Sequence, residues 1–170
     1  MKQKVSDYIA EYIAQWGIRD VFTVTGGGAM HMNDAFGHHK MLHCTYQHHE
    51  QACAMAAEAY ARLGNKMAAV CVTTGPGATN AITGVLGAWM DSIPMLVFSG
   101  QARYATTVSA SGLPLRSMGV QECNIVPVVK RPDKVCSHDR SSGEHPVPSG
   151  KGSLSGCKME GRDRYGWTFL

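Results

Sequence analysis

The sequence predicts an α/β fold in which a parallel sheet carries helices on both faces. Short apolar runs rich in Val, Phe and Ile alternate along the chain with segments of helical periodicity. Each of these runs ends in a loop that contains glycine. Strands that alternate with helices in this way are typical of parallel sheets that are covered on both sides.

The elements can be assigned in order from the N-terminus. Apolar residues at helical spacing predict a first helix over 5–16, and Gly17 supplies a left-handed stop. The remaining elements, in chain order, are a strand over 20–25 that ends in three glycines, a helix over 30–37, a strand over 42–46, a helix from Glu50 to Leu63 that stops at Gly64-Asn65, a strand over 68–74, a tight turn at Gly75-Pro76-Gly77, a helix over 80–90 and a strand over 94–99.

Glu50 is the residue at which we first look for chemistry. It begins a helix that is otherwise built largely from Ala, Met and Cys. A carboxyl group among apolar neighbours holds its proton more tightly than one in water, so the sequence indicates a candidate acid. Because ligands of parallel sheets bind beyond the carboxyl ends of the strands, we expect the Gly26 loop, Glu50 and the Gly75 turn to share one rim.

Bulk composition places the chain among soluble globular proteins. It has 170 residues, 44% hydrophobic and 17% charged, which fits one domain with a real core. No apolar run is long enough for a membrane span, so we expect a cytoplasmic protein with no membrane partner. The six cysteines form no CxxC pair, which favours buried thiols over disulfides or zinc ligands. A net charge of +3 is weak evidence for nucleic acid, and we expect no nucleic-acid partner.

Composition changes abruptly near Lys130. From Arg131 onward the chain is rich in Ser, Gly, Arg and Lys and has no apolar periodicity. We therefore divide the chain into a domain over 1–130 and a tail over 131–170, which by itself reads as a disordered tail or linker.

Residues 4 to 130 resemble the N-terminal pyrimidine-binding domain of thiamine-diphosphate enzymes, in particular the acetolactate synthase-like group. Four stretches carry the resemblance, in the family's order: GIRDVFTVTGGGAMHMNDAF, HHEQACAMAAEAYARL, VTTGPGATNAITGVLGAWMDSIPMLVFSGQ and LRSMGVQECNIV. The resemblance implies the family's pyrimidine-domain fold and a 2-keto-acid carboligase or decarboxylase, a transferase or lyase that uses thiamine diphosphate.

The resemblance assigns a catalytic role to Glu50. In the family the glutamate at this position hydrogen-bonds N1′ of the aminopyrimidine and so promotes removal of the proton from the thiazolium C2. The alternative is an ordinary carboxylate that is favoured at a helix N-terminus by the macrodipole.

The resemblance also implies a set of cofactor-binding residues, although a plain turn role remains open for the glycines. The family often has Pro at Gly26, and Val120 replaces the acidic or aromatic residue that is usual there. The implied cofactor-binding residues are Thr25, Gly26, Gly27, Pro76, Asn80 and Gln121.

We assign no metal ligand in this chain. His48 and His49 precede the glutamate, and other histidines lie nearby, but neither His38-His39 nor His48-His49 has the i, i+4 spacing of a helical zinc site. In the family Mg²⁺ and the diphosphate are held by a second domain that is marked by GDG, and no GDG occurs here. The resemblance thus implies half a site, a 2-keto acid such as pyruvate as substrate, and a homo-oligomer or a diphosphate-domain chain as partner. The isolated chain is expected to be inactive.

Two explanations for the missing half remain open. The chain can be the pyrimidine subunit of a two-chain decarboxylase, or a longer gene can be read out of frame after Lys130. With codons entered one base late, residues 132–137 can encode LTKYA and residues 145–157 can encode IRYHLEKALYLA. After one further shift, residues 159–170 can encode GRPGPVWMDIP. These peptides resemble the family's closing helix and strand.

Without that helix and strand, we expect an uncovered sheet edge and marginal stability. A non-catalytic module that keeps the fold is an alternative from another class, but such a module has little reason to retain Glu50. A dinucleotide-binding domain fits poorly, because TGGGAM is not GxGxxG.

Overall fold

A computed structural model of the chain describes residues 3–129 and the backbone of two further strands, residues 136–138 and 165–169. The strands belong to one parallel sheet with the order β2-β1-β3-β4-β6-β5. Their bounds are β1 Asp20–Thr23, β2 His43–Tyr46, β3 Ala68–Val72, β4 Met95–Ser99, β5 Cys136–His138 and β6 Tyr165–Phe169.

Four helices accompany the first four strands: the first precedes β1, and the other three connect successive strands. They are α1 Val5–Gln15, α2 Met30–His38, α3 Glu50–Gly64 and α4 Pro76–Met90. A 3₁₀ turn, Gly27–Ala29, precedes α2, and a second, Tyr104–Thr106, follows β4. Two short helices come after it, α5 Val108–Ser111 and α6 Val126–Val129. The predicted fold class, a parallel sheet with helices on both faces, is confirmed.

The sheet separates two apolar cores. Buried residues of α1 and α2 pack with Ala69 and Cys71 of β3, whereas buried residues of α3 and α4 pack with Val70 and Val72 of the same strand. All five residues of β3 are buried, as are all five of β4. Strands with apolar neighbours on both faces explain why the sequence shows continuous apolar runs rather than alternation.

The helix ends follow the predicted punctuation, with one exception. Gly17 has φ +86° after α1 and Asn65 has φ +49° after α3, so both are left-handed stops. The prediction of a tight turn at Gly75-Pro76-Gly77 and a helix from Asn80 was wrong. The helix α4 begins at Pro76, because proline has no backbone N–H to lose at the first helical position and its φ already suits a helix.

The sheet edge beyond β4 differs from the sequence-based expectation. We expected this edge to be uncovered, but β6 pairs with β4 along five residues in parallel register, and β5 pairs with β6. A strand edge presents unpaired N–H and C=O groups, and the backbone of a tail segment can satisfy them whatever its side chains. Other parts of the tail lie outside the described residues, and its predicted disorder is therefore untested.

None of the helices in the described part of the chain combines the length and apolar character that crossing a membrane requires.

Candidate functional site

The loops after β1, β3 and β4 meet at the carboxyl edge of the sheet. The backbone N–H of Gly28 donates to the hydroxyl of Thr73 at 3.1 Å, which joins the loop after β1 to the end of β3. Gly26 lies so close to the same threonine that a Cβ there would come within 2.5 Å of the Thr73 Cβ. Gly26 has an extended backbone, so close approach rather than conformation requires glycine here.

Glu50 lies at the N-terminus of α3 and faces the first turn of α4. The ring of His49, the N-cap residue, accepts from the backbone N–H of Gln51 at 3.2 Å and so fixes the helix start. The Asn80 side chain donates to Glu50 Oε2 at 3.0 Å. A Cβ on Gly77 would lie 2.7 Å from Thr73 Cγ2 and 3.3 Å from Glu50 Oε1, so glycine lets the start of α4 approach both side chains closely.

This geometry brings together two of the predicted site residues, Glu50 and Asn80. The carboxylate is half-buried and has an amide partner, so its surroundings are less apolar than the Ala, Met and Cys composition of α3 indicated. The negative charge of Glu50 also acts on a buried neighbour in α3. Burial first, and then this charge, raise the pKa of the Cys53 thiol to about 12. One carboxylate oxygen, Oε2, is thus held by Asn80, and the other, Oε1, lies beside Gly77.

Gln121 lies beside the turn that begins α4. Its backbone has φ +55°, a left-handed conformation that residues other than glycine rarely adopt. Gly75 has φ +61°, and a Cβ there would overlap the carbonyl oxygen of Gln121. The predicted residue Gln121 is therefore at the rim, and Gly75 is required both by its own conformation and by this close approach.

Several residues of the rim were missed by the sequence analysis. Gln101 accepts from the Thr74 hydroxyl at 2.8 Å and donates to the carbonyl of Cys123 at 2.9 Å. The Glu122 carboxylate accepts from the backbone of Val108, Met118 and Gly119 at 2.8 to 3.0 Å. Gln101, Thr73 and Thr74 lie within two residues of the ends of buried strands, so the strand-end rule that located the Gly26 loop was also a signal for them.

Burial raises the pKa of the Glu122 carboxyl, but the bonds from the three backbone N–H groups outweigh burial and hold that pKa below its ordinary value. The charged carboxylate is therefore the form that the loop binds.

The remaining predicted site residues lie at the rim without the contacts that Glu50 and Asn80 make. Thr25 and Gly27 are exposed, and a Cβ on Gly27 would meet nothing within 4 Å. Pro76 is the exposed first residue of α4. A contact role for these three depends on a ligand, whereas Gly26 is already explained by its packing.

Four of the six histidines between positions 31 and 49 have partners among the described residues. His38 contacts Asp34, His39 contacts Glu11 and His43 contacts Asp20, while His49 caps α3. Within the described residues, no group of three or more His, Cys, Asp or Glu side chains is arranged to hold a metal ion.

Comparison with protein families gives a match over residues 3–127 to the model described as "Thiamine pyrophosphate enzyme, N-terminal TPP binding domain". The chain belongs to the thiamine pyrophosphate enzymes. It is a TPP-binding N-terminal domain of the kind found in acetolactate synthase-like enzymes, as the resemblance predicted.

Three relatives illustrate the match. The chain is 38% identical to the acetolactate synthase large subunit of Lactococcus lactis subsp. lactis over 56% of this chain and 17% of the relative. It is 31% identical to acetolactate synthase 2, chloroplastic, of Zea mays over 81% of this chain and 20% of the relative. It is 38% identical to the acetolactate synthase large subunit of Buchnera aphidicola subsp. Schizaphis graminum over 74% of this chain and 21% of the relative. The chain thus spans about a fifth of the length of these relatives.

Proposed function

We propose that this chain supplies the pyrimidine-binding half of a thiamine diphosphate site in an acetolactate synthase-like enzyme. The observation that carries the proposal is the placement of Glu50. Asn80 holds Oε2 of its carboxylate, and Oε1 lies beside Gly77 in the first turn of α4.

The residues present fit an aminopyrimidine ring. A basic ring nitrogen pairs with a carboxyl group, and Glu50 supplies one beside a turn of α4 that carries no side chain at Gly77. When bound, thiamine diphosphate supplies an acidic thiazolium carbon whose deprotonated form adds to the carbonyl of a 2-keto acid.

Each residue of the rim then has a task. Glu50 would share a proton with N1′ of the ring through Oε1, the oxygen that Asn80 does not hold. Asn80 acts through Glu50, because its amide fixes the carboxylate before any ligand arrives. We propose that Thr25, Gly26 and Gly27 line one side of the cofactor, and that Pro76 and Gln121 line the other.

A second domain must complete the site. We propose that it holds the diphosphate with Mg²⁺ and comes from another copy of the enzyme or from a separate chain, so that this chain alone is not competent. Exposed apolar side chains near the rim support such a partner: Met30 is 59% exposed where α2 begins, and Tyr46 is 60% exposed at the end of β2. The proposed substrate is a 2-keto acid such as pyruvate, and the proposed location is the cytoplasm.

We also propose that residues 131–170 replace the family's closing helix and strand because of two single-base shifts in the reading frame. The end of the family match at residue 127 supports this proposal, since the composition changes only a few residues later. The nucleotide sequence after Lys130 tests it. Codons that cannot encode the three peptides in the shifted frames would leave a natural two-chain enzyme as the explanation.

The test of the proposed function uses a complementing chain, namely the part of the Lactococcus lactis relative outside its matched segment, expressed separately. The full chain is mixed with this complementing chain, thiamine diphosphate and Mg²⁺, and cofactor affinity is measured by calorimetry. We expect binding by the mixture and none by either chain alone. Equal binding by the complementing chain alone would contradict the proposal.

A further inference from the structure

We propose that Glu122 and Gln101 are positioning residues that clamp the loop between β4 and α6 and thereby hold Gln121 at the rim of the site. The inference deepens the proposed function and rests on it for the ligand that Gln121 meets. The clamp itself stands on contacts among the described residues.

The starting observation is an uncommon backbone conformation with no structural use for its side chain. Gln121 is left-handed at φ +55°, and its side chain is exposed. Within residues 3–129 the Gln121 side chain makes no hydrogen bond. By contrast, both carboxylate oxygens of Glu122 accept hydrogen bonds, and both the oxygen and the nitrogen of the Gln101 amide are hydrogen-bonded. Non-glycine residues persist in such conformations where the surrounding structure determines them, and these cluster at functional sites.

Glu122 fastens the loop on one side of Gln121. Its Oε1 accepts from the N–H of Val108 at 2.8 Å, and its Oε2 accepts from the N–H groups of Met118 and Gly119 at 3.0 Å each. One carboxylate therefore ties the start of α5 to the segment just before Gln121. Bonds from N–H groups to a charged acceptor are the stronger kind, and both oxygens are occupied.

Gln101 fastens the loop to the sheet on the other side. Its Oε1 accepts from the Thr74 hydroxyl and from the N–H of Ala102, both at 2.8 Å, and its Nε2 donates to the carbonyl of Cys123 at 2.9 Å. The same threonine hydroxyl lies 3.4 Å from the carbonyl oxygen of Gln121. The end of β3 is thereby joined to residues on both sides of Glu122.

The result is that the backbone carbonyl of Gln121 lies against Gly75, while its side chain is exposed at the rim. Within residues 3–129 the clamp thus presents a carboxamide without a hydrogen-bond partner, a group that can both donate and accept. Glu122 and Gln101 need not touch a ligand, because they act through Gln121.

The first measurement is amide hydrogen exchange on the full chain without any ligand. Glu122→Gln keeps the size of the side chain but places an NH₂ group against the three N–H donors. We expect exchange at Val108, Met118 and Gly119 to become at least tenfold faster. Glu11→Gln, the same chemical change on α1, is the matched control and should leave these amides unchanged. Unchanged exchange in Glu122→Gln would overturn the clamp.

The second measurement separates a functional role of Gln121 from a structural one. Glycine adopts positive φ more readily than glutamine, so the full-length Gln121→Gly variant should have a urea midpoint equal to or above that of the wild type. A clearly lower midpoint would mean that the glutamine side chain serves folding, and the inference would fall.

The third measurement uses thiamine diphosphate affinity of the full chain mixed with the complementing chain. Gln121→Gly and Glu122→Gln should each weaken affinity, and the double variant should be no weaker than Gln121→Gly alone. An additional loss in the double variant equal to that of Glu122→Gln by itself would show that Glu122 does not act through Gln121. If the wild-type mixture fails to bind, the proposed function fails, and the exchange measurement still decides the clamp.

Discussion

Gly84 of α4 gives the sharpest test of how α3 and α4 are packed, and these two helices carry Glu50 and Asn80. A Cβ at position 84 would lie 2.6 Å from the Cβ of Ala54 and 3.0 Å from the backbone nitrogen of Met55. Ala54 is fully buried, and its neighbour contributes backbone, so neither can move aside cheaply. We expect Gly84→Ala to force the two helices apart.

The magnitude follows from two opposing effects. Replacing glycine by alanine inside a helix gains up to about 1 kcal/mol in helix propensity. Overpacking a filled contact costs about 1–3 kcal/mol. Gly87 lies one turn further along α4, and there a Cβ would meet only Glu58 Oε2 at an ordinary 3.5 Å. Gly87→Ala is therefore the matched control, because it has the propensity gain without the clash.

Urea denaturation followed by circular dichroism measures the difference between the two variants at unchanged slope. We expect Gly87→Ala to be as stable as the wild type or more stable, and Gly84→Ala to be less stable than Gly87→Ala by about 1–3 kcal/mol. Each kcal/mol corresponds to a shift of roughly 2–4 °C in Tm for a chain of this size. Equal stability of the two variants would refute the close packing of α3 on α4.

Three further predictions concern individual contacts. The Asn80 amide donates a hydrogen bond to the Glu50 carboxylate. A double-mutant cycle of Asn80→Ala with Glu50→Gln should therefore give a coupling energy of about 0.5–1.5 kcal/mol in the free energy of unfolding. Additive effects of the two substitutions would contradict this contact. Burial and Glu50 raise the pKa of the Cys53 thiol to about 12. At pH 8, iodoacetamide should therefore alkylate Cys53 at least about tenfold more slowly than the partly exposed Cys123. Equal alkylation rates, measured by peptide mass spectrometry, would contradict this. A hydrogen bond from His39 lowers the pKa of Glu11 below its ordinary value, so the contribution of Glu11 to stability is present above that ordinary value and lost as pH falls through the lowered pKa. The urea midpoints of the wild type and Glu11→Gln should therefore differ at pH 6 and converge at pH 3. A difference that stays constant between these pH values would refute the linkage.

The sequence predicted most of the fold because its signals are local. Glycine and asparagine after α1 and α3 mark helix ends through backbone conformation alone, and continuous apolar runs mark strands that are buried on both faces. The start of α4 was misplaced because Gly-Pro-Gly is typical of a turn, whereas proline is equally suited to the first residue of a helix. The strand β6 was missed because edge pairing uses backbone groups, which leave no pattern in the side chains.

The site was predicted less completely than the fold. Glu50 and Asn80 were named individually, but their contact joins residues 30 positions apart on two helices, and no local pattern reports it. Glu122 was passed over because a glutamate in a polar loop is usually solvated, and only the folded loop shows three N–H groups directed at it.

The central claim is that the Glu50 carboxylate acts on the aminopyrimidine of thiamine diphosphate. The most direct measurement is the rate of hydrogen–deuterium exchange at C2 of the cofactor, followed by NMR in the mixture of the full chain with the complementing chain. The account predicts that the mixture accelerates this exchange over free cofactor and that Glu50→Gln slows it by at least about a hundredfold, the range of a general acid–base contribution. Exchange in Glu50→Gln as fast as in the wild type, at saturating cofactor, would contradict it.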